Sequence, residues 1–219
     1  MYEMNKSDRT VNIKQERGSV MAFWISEAGR CRLMRYWKQI KIPKSNPPGN
    51  LQAFFAKKKI ENAYSNLIYN SLGSKGMLAE KGFLAESGDI IKGNVFCLLR
   101  EDQKDVLCTA RMVKNSYLAA KPPGKQRHME AISLMNITGK EHAKILHIGM
   151  NDLSVAEYDV DTSYKEETEQ DWNILIESWK RAIEPAPNPE DWECGYCVYK
   201  TKCQKEQKQP ACEISNEVI

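Results

Sequence analysis

Three cysteines near the C-terminus constrain this chain more than any other feature of its sequence. Cys194, Cys197 and Cys203 form a C-x2-C-x5-C pattern within WECGYCVYKTKC, directly after the proline-rich segment EPAPNPED at 184–191. Two thiolates separated by two residues can bind one metal from a tight turn, and both zinc sites and iron-sulfur clusters use this geometry. The pattern predicts a metal centre that fixes this end of the chain and needs a fourth ligand.

The other four cysteines include the candidates for that fourth ligand. Cys31 and Cys212 are the candidates, whereas Cys97 and Cys108 lie in strand-like segments, where a buried free cysteine is the more common role. Seven cysteines is an odd number, and the N-terminal sequence MYEMNKSDRTVNIKQERGSV has no apolar segment of a signal peptide. We therefore expect reduced thiols in a cytoplasmic protein rather than a disulfide framework.

The length and the composition favour a globular chain with one main domain. We expect a domain at 18–203 with its own core, flanked by polar extensions at 1–17 and 204–219. The 42% hydrophobic and 28% charged residues argue against wholesale disorder, and no apolar run approaches the roughly 20 residues that span a membrane. A formal net charge of +3 does not by itself indicate a partner, so the local distribution of charge matters more.

The pattern of apolar residues and prolines predicts the secondary structure. Proline-rich breaks at 41–50, 121–126 and 184–191 are predicted to be loops, because proline lacks the N–H that helices and sheets require. Ser26 is predicted to cap a first helix, and Gly73 to end a second one. The remaining predictions are a helix over 51–72, strands over 83–99 and 106–113, a helix over 126–136, a hairpin of 145–150 with 155–160, and a helix over 162–184. This order predicts an α/β fold with a mixed central sheet flanked by helices.

The two ends of the sequence resemble those of a known nuclease family. The segments ISEAGRCRLMRYW at 25–37 and WECGYCVYKTKC at 192–203 are similar to the ends of the CRISPR-associated RecB-like exonucleases, relatives of the PD-(D/E)XK nucleases. In that family one N-terminal and three C-terminal cysteines hold a 4Fe-4S cluster, which closes the nuclease fold. The resemblance implies the same cluster here, with the ligands Cys31, Cys194, Cys197 and Cys203.

The resemblance also implies an active centre in which carboxylates hold Mg²⁺ or Mn²⁺ and a lysine assists. The segment GNVF at 93–96 corresponds to the family pattern G-x-x-D, so Phe96 occupies the position of the acid. The segment RMVK at 111–114 corresponds best to the strand with E-x-K, so Met112 replaces the glutamate while Lys114 keeps the lysine. Both metal-binding acids are therefore absent from their expected positions.

Two further departures concern the helices that flank this centre. The helix predicted over 51–72 has no histidine where the family has one, and Glu61 or Asn62 falls near its place. Ala131 occupies the position of a glutamine on the later helix. Four changes at chemical positions, with none at the cysteines, predict a nuclease-like protein that does not cleave DNA.

An active enzyme with displaced acids is the main alternative. Asp89 followed by Asp102 and Lys104 has the form of two acids and a lysine around a metal site. A short D-x-K sequence recurs by chance, and this one falls in a hydrophilic turn between strands. We therefore expect solvated charges there and not a preorganised metal site.

Cationic side chains replace acids in the middle of the chain. Residues 106–129 contain no Asp or Glu, and a phosphate backbone favours cations through counterion release. The predicted DNA-binding residues are Arg111, Lys114, Lys121, Lys125 and Arg127. The resemblance implies CRISPR integrase or recombination proteins as further partners, whereas the absence of a long apolar run predicts no membrane association. A zinc-stapled interaction protein with no nucleic-acid role is a third hypothesis.

We expect the tryptophans to lie in the core or next to the cluster and not to stack on bases. They are Trp24, Trp37, Trp172, Trp179 and Trp192.

Overall fold

The structure is a computed structural model that describes residues 23–42, 51–87, 90–190 and 192–206, with the side chains of 51–62 left out. Its strands are β1 (Phe23–Trp24), β2 (Leu78–Ser87), β3 (Ile91–Glu101), β4 (Lys104–Val113), β5 (His142–Gly149) and β6 (Val155–Asp159). Its helices are α1 (Arg32–Gln39), α2 (Leu51–Ser74), α3 (Ser116–Ala119), α4 (Lys125–Thr138), α5 (Lys165–Arg181), α6 (Glu193–Tyr196) and α7 (Lys200–Lys205), with 3-10 turns at Ile25–Glu27 and Thr162–Tyr164. The predicted α/β architecture with a mixed sheet and flanking helices is confirmed.

The sheet joins an antiparallel meander to a parallel crossover. β2, β3 and β4 pair antiparallel in succession, α4 then carries the chain back, and β5 pairs parallel with β4. β6 closes the far edge as an antiparallel partner of β5, and β1 pairs parallel with β3. β3 and β4 pair only from Cys97 opposite Cys108 to their connecting turn, so the two strands separate toward the other end of the sheet. This separation leaves room for a cleft.

Two apolar clusters cover opposite faces of the sheet. The larger one joins the sheet to α1, α4 and α5, and contains Leu107, Trp37, Leu134 and Leu175, all at most 1% exposed. The smaller one lies under α2 and contains Cys97, Leu99, Val106, Cys108, Leu146 and Ile148. Within the described ranges, no helix combines the length and the apolar character needed to cross a membrane.

The first helix begins later than the sequence predicts. Ser26 lies in a 3-10 turn and does not cap a helix, and α1 begins at Arg32 with Cys31 at its N-cap position. The break between them is a turn in which Gly29 has a φ of +71°. A Cβ atom at Gly29 would lie 2.6 Å from Met129 Sδ, so this turn requires glycine and holds the chain against α4.

The strand predicted over 83–99 is also wrong as a single element. It contains parts of both β2 and β3, because the chain reverses between Ser87 and Ile91 and the two strands pair antiparallel. The second helix ends at Ser74, and Gly76, with a φ of +68°, supplies the left-handed turn that the sequence placed at Gly73. Alternation of apolar residues cannot distinguish one long strand from two strands of a tight hairpin.

Most of the later predictions are confirmed. The structure has a helix over the predicted 126–136, an antiparallel hairpin over 145–150 and 155–160, and a helix within 162–184. The proline-rich stretches at 121–124 and 184–190 have no regular structure, whereas 43–50 lies outside the described residues. The same is true of the N-terminal extension and of 207–219.

A buried ion pair joins α1 to α5. Arg35 is 1% exposed and its Nη1 donates to Asp171 Oδ2 over 2.6 Å, while the guanidinium lies 4.6 Å from the centre of the Trp172 ring. Burial raises the pKa of Asp171, although the charges of Arg35 and Arg32 oppose this. Removal of one partner leaves the other charged in an apolar surrounding.

We expect the substitution Asp171→Ala to lower the free energy of unfolding by about 3–5 kcal/mol, because Arg35 then remains buried without its partner. Urea denaturation followed by circular dichroism measures this loss. The matched control is Glu177→Ala on the same helix, which removes exposed pairs with Lys180 and Arg181 and should cost less than about 1 kcal/mol. Equal effects of the two substitutions would contradict the prediction.

Candidate nucleic-acid interface and cysteine centre

A cleft of about 650 Å³ opens where β3 and β4 separate. β2 and β3 form one wall, and the first turns of α4 form the other, with the side chains of Arg127 and Glu130 in the lining. The lining residues include Trp24, Ser26, Tyr69, Asn94, Phe96, Thr109, Ala110, Arg127 and Glu130. Glu130 is the only acid among these lining residues.

The two positions at which the resemblance implies acids carry apolar side chains in the structure. Phe96 lines the cleft, its ring lies 5.0 Å from the ring of Tyr69 on α2, and the Tyr69 hydroxyl donates to its carbonyl oxygen over 2.7 Å. Met112 packs with Phe96 against the cluster under α2 and is not part of the cleft lining. Lys114 lies exposed just beyond β4 and is not part of the lining either.

Thr109 and Arg111 lie on the face of β4 that is directed toward α4. Side chains alternate along a strand, and Ala110 and Met112 pack under α2, so the residues between them point toward α4. Thr109 lines the cleft, and Arg111 lies close enough to Glu130 and Arg127 on α4 for their charges to act on its pKa. The register chosen from the sequence placed Met112 and Lys114 at this centre, and neither of them lines the cleft.

The charges of three arginines act on one carboxylate in the second turn of α4. Arg127 Nη1 donates to Glu130 Oε2 over 2.5 Å, and the charges of Arg30 and Arg111 also act on Glu130. Burial raises the pKa of Glu130 and the three arginines oppose this rise. Burial lowers the pKa of Arg111, and the charges of Arg127 and Arg30 lower it further. Glu130 alone does not balance three guanidinium groups, and of the three only Arg30 also acts on a second buried carboxylate, that of Glu193.

A second cleft of about 280 Å³ continues from the first one. The two clefts share Arg127, and the second is lined by Arg30, Arg111, Gly124, Lys125, Gln126, Arg127, Glu190 and Trp192. We call the two clefts together the arginine groove. Trp24 in the first cleft is 40% exposed and Trp192 in the second is 51% exposed. Trp24 and Trp192 therefore lie outside the core, whereas Trp37 and Trp172 are buried as predicted. The expected place of a tryptophan beside the cluster stays a prediction.

The cations predicted to bind DNA divide into two groups. Lys125 Nζ lies 2.6 Å from Glu167 and 3.9 Å from Glu190, and Arg127 is paired with Glu130, so carboxylates already balance these two charges. In the described part of the chain, no acid lies within ion-pair distance of Arg111, Lys114 or Lys121, and Lys121 Nζ lies 5.1 Å from the centre of the Tyr117 ring. The unpaired group lies at the end of β4 and in the loop before α4.

The weaker catalytic alternative lies at the opposite end of β4. Asp102 occupies the turn between β3 and β4 with a φ of +47°, and Lys104 is the first residue of β4. Both line a separate cleft of about 360 Å³, where Lys144 pairs with Glu101 over 2.7 Å. Asp89, the other acid of this alternative, lies outside the described residues.

The first helix and the C-terminal segment pack against each other. The Cys31 N–H donates to Glu193 Oε2 over 3.2 Å, and the Arg32 N–H donates to Asn188 Oδ1 over 2.7 Å. The rings of Trp37 and Tyr199 meet edge to face at 5.7 Å. The sequence segments 25–37 and 192–203, which carry the resemblance, are therefore neighbours in space.

Two of the four predicted ligand thiols lie close together. Burial raises the pKa of Cys197, the charge of Cys31 raises it further, and the Tyr199 N–H donates to Cys197 Sγ over 3.4 Å. Cys194 and Cys203 are buried. Among the described side chains, no group of three or more His, Cys, Asp or Glu residues is close enough to hold a metal ion. The 4Fe-4S cluster therefore stays a prediction, and Cys212 lies outside the described residues.

Sequence reasoning missed Glu193, although it lies within the cysteine motif. Its carboxylate accepts hydrogen bonds from the N–H groups of Cys31 and Glu190 and from Gln126 Nε2 on α4. Burial raises the pKa of Glu193, and these hydrogen bonds oppose the rise. Glu193 thus fixes the cysteine segment to the start of α4, next to the arginine groove. Its position directly before Cys194 was the only sequence signal for this role.

Comparison with known proteins gives distant likenesses in fold. No family model matches this sequence, and no curated protein matches it. Among solved structures, it is similar to SSO0001 at 17% identity and a TM-score of 0.46, over 84% of this chain and 86% of that one. It is also similar to an alkaline exonuclease from Laribacter hongkongensis at 11% identity and a TM-score of 0.49, over 76% of this chain and 91% of that one. At these values neither likeness carries information on chemistry.

Proposed function

We propose that this chain is a nuclease-like protein that binds DNA along the arginine groove without cleaving it. The observation that carries the proposal is the charge of the groove. The groove is lined by Arg30, Arg111, Lys125 and Arg127 against the carboxylates of Glu130 and Glu190. Phe96 stands where the resemblance implies the first metal-binding acid. Guanidinium groups favour the phosphates of a nucleic acid through charge-assisted hydrogen bonds and counterion release.

The same residues argue against a catalytic metal in the groove. A divalent ion such as Mg²⁺ prefers several hard oxygen ligands, usually including carboxylates. Glu130 already accepts a hydrogen bond from Arg127, and the other groups near it are the cations of Arg30 and Arg111. A further positive ion would be repelled by these arginines, whereas a phosphate would be attracted to them.

We further propose that Cys31, Cys194, Cys197 and Cys203 hold an iron-sulfur cluster that joins the two ends of the domain. The contact between Cys31 and Glu193 and the proximity of Cys31 and Cys197 support this part. Thiolates are the ligands that such clusters use, and hydrogen bonds such as that from the Tyr199 N–H to Cys197 Sγ tune them. The proposed partners besides DNA are CRISPR integrase or recombination proteins.

The DNA-binding proposal is tested by reversing the three unpaired cations. We expect Arg111→Glu, Lys114→Glu and Lys121→Glu together to weaken binding to fluorescein-labelled 30-nucleotide DNA, in single-stranded and duplex form. The slope of log K against log salt should fall by about 0.7 to 0.9 for each phosphate that the variant no longer neutralises. Fluorescence anisotropy at several salt concentrations measures both the affinity and the slope.

A matched variant controls for the change in net charge. Lys41→Glu, Lys75→Glu and Lys104→Glu reverse three exposed lysines that form no ion pair in the described part of the chain. None of the three lines either cleft of the arginine groove. Equal loss of affinity in both triple variants would show nonspecific attraction by net charge and would overturn the proposed interface.

A further inference from the structure

We propose that Arg30, Arg111 and Arg127 hold a phosphate of a nucleic-acid strand without a divalent metal, and that Trp192 stacks on the unpaired base next to it. This inference rests on the proposed DNA-binding function and adds the ligand group that each residue contacts. The three arginines and Trp192 all line the second cleft of the arginine groove. The phosphate and the base of one nucleotide are joined through its sugar, so both can contact the same small cleft.

The charge balance in this cleft indicates an anion as the ligand. Glu130 compensates one of the three guanidinium groups, chiefly that of Arg127, and Glu190 lies 3.9 Å from the ammonium group of Lys125. No carboxylate of the described residues lies within ion-pair distance of Arg30 or Arg111, although the charge of Arg30 also acts on the buried Glu193, which is already hydrogen-bonded to Cys31, Gln126 and Glu190. Arg111 therefore carries the least compensated charge of the three. Like charges held together in a partly buried cleft repel each other, and a bound phosphate would relieve that repulsion.

Arg30 is the residue that sequence reasoning did not connect with this surface. Its Nε atom is buried and has no hydrogen-bond partner among the described residues, so one donor of the guanidinium group is unsatisfied there. Arg30 lies between the left-handed turn at Gly29 and Cys31, whose N–H is bound by Glu193. This backbone is fixed on both sides, which positions a rigid guanidinium fork of the kind that recognises phosphate oxygens.

Trp192 supplies the aromatic surface at the same cleft. It precedes Glu193, which is 7% exposed and holds the chain to Cys31 and α4, yet Trp192 itself is 51% exposed. An exposed indole on a fixed backbone loses little conformational freedom when a base stacks on it. Such stacking needs an unpaired base and does not depend on its identity.

The phosphate and stacking contributions can be separated with two fluorescein-labelled probes, oligothymidine and an abasic deoxyribose-phosphate strand of equal length. Both probes carry the same phosphates, but only the first has bases. We expect Arg111→Gln to weaken binding of both probes about tenfold. Trp192→Ala should weaken binding of oligothymidine about tenfold and leave the affinity for the abasic strand unchanged. Trp192→Phe should keep most of the wild-type affinity for oligothymidine, because it keeps an aromatic ring. Addition of EDTA should change neither affinity.

Three controls keep the result interpretable. Arg100→Gln removes an exposed arginine from the far end of β3, where it pairs with Asp105, and should leave both affinities unchanged. Arg30→Gln should act like Arg111→Gln, and Arg30→Lys should recover only part of the affinity, because it keeps the charge but not the fork. Circular dichroism and urea unfolding check the folding of each variant, and Arg111, which is exposed, carries the conclusion if Arg30 variants unfold.

Each negative result would overturn a different part of the proposals. Wild-type protein that binds neither probe would overturn both this inference and the proposed function. Binding that is unchanged by Trp192→Ala and by Arg111→Gln, but lost when Arg111, Lys114 and Lys121 are reversed together, would overturn the inference and leave DNA binding beside the groove intact. Loss of binding in EDTA, restored by Mg²⁺, would show that a metal and not the arginine cluster holds the phosphate.

Discussion

Serine substitution at Cys31, Cys194, Cys197 or Cys203 is expected to release the proposed iron-sulfur cluster and to destabilise the domain. Anaerobically purified protein should be brown with absorbance near 400 nm, and each substitution should remove that absorbance. Cys31 and Cys194 are 163 residues apart in the chain. The cluster would add a covalent link between two segments that are otherwise joined by hydrogen bonds and packing. Because metal binding is coupled to folding, we expect the unfolding midpoint to fall by about 10 °C or more.

The other cysteines provide the controls for this experiment. Cys97 and Cys108 are buried opposite each other in β3 and β4, so their replacement by alanine should reduce stability but leave the absorbance of the cluster unchanged. Retention of the cluster in Cys31→Ser would indicate Cys212 as the fourth ligand. A colourless protein that binds one zinc ion would contradict the iron-sulfur assignment and support the zinc-stapled alternative.

The second large expectation is that the protein does not degrade DNA in the presence of Mg²⁺ or Mn²⁺. Phe96 and Met112 offer an aromatic ring and a thioether where the family has acids, and Glu130 lies among three arginines. Without a held metal, nothing lowers the pKa of the attacking water or neutralises the charge that develops on the phosphate. Lys114, exposed beyond β4, cannot supply both effects. Incubation of labelled single-stranded and duplex DNA with each ion measures this.

Introducing acids into the cleft tests whether the missing carboxylates alone account for the expected lack of cleavage. Phe96→Asp with Met112→Glu follows the sequence alignment, whereas Phe96→Asp with Thr109→Glu follows the cleft that the structure describes. We expect little activity from either pair, because the surrounding arginines and apolar residues do not support a metal. Robust cleavage by the parent protein that disappears in Asp102→Ala or Asp89→Ala would show that the catalytic acids have moved.

The secondary structure was largely predictable because it depends on local patterns. The helix over 126–136 and the hairpin that became β5 and β6 follow from the spacing of apolar residues and from turn-forming residues. The errors fell where a tertiary contact overrides a local pattern. Gly29 turns the chain against Met129 before α1 begins, and the predicted strand over 83–99 folds back on itself as a hairpin.

The candidate site was predictable only in part. The sequence indicated that Arg111 and Arg127 belong to a cationic surface, and it suggested that Phe96 replaces an acid. It did not connect Arg30 or Trp192 with them, since neighbouring positions in the groove come from the turn before α1, from β4, from α4 and from the segment before α6. Residues so distant in the chain meet only when the sheet and its helices are assembled.

The sequence by itself determined the residue types of this protein: cysteines at both ends, no acid between 106 and 129, and alternation that specifies strands and helices. The tertiary structure decided which of those residues share a site. β3 and β4 separate beyond Cys97 and Cys108, and this opens the cleft that exposes Thr109 and Arg111 to α4. The physical reason is that a one-residue change of register moves every side chain of a strand to the other face, and only the packing of the whole sheet selects the register.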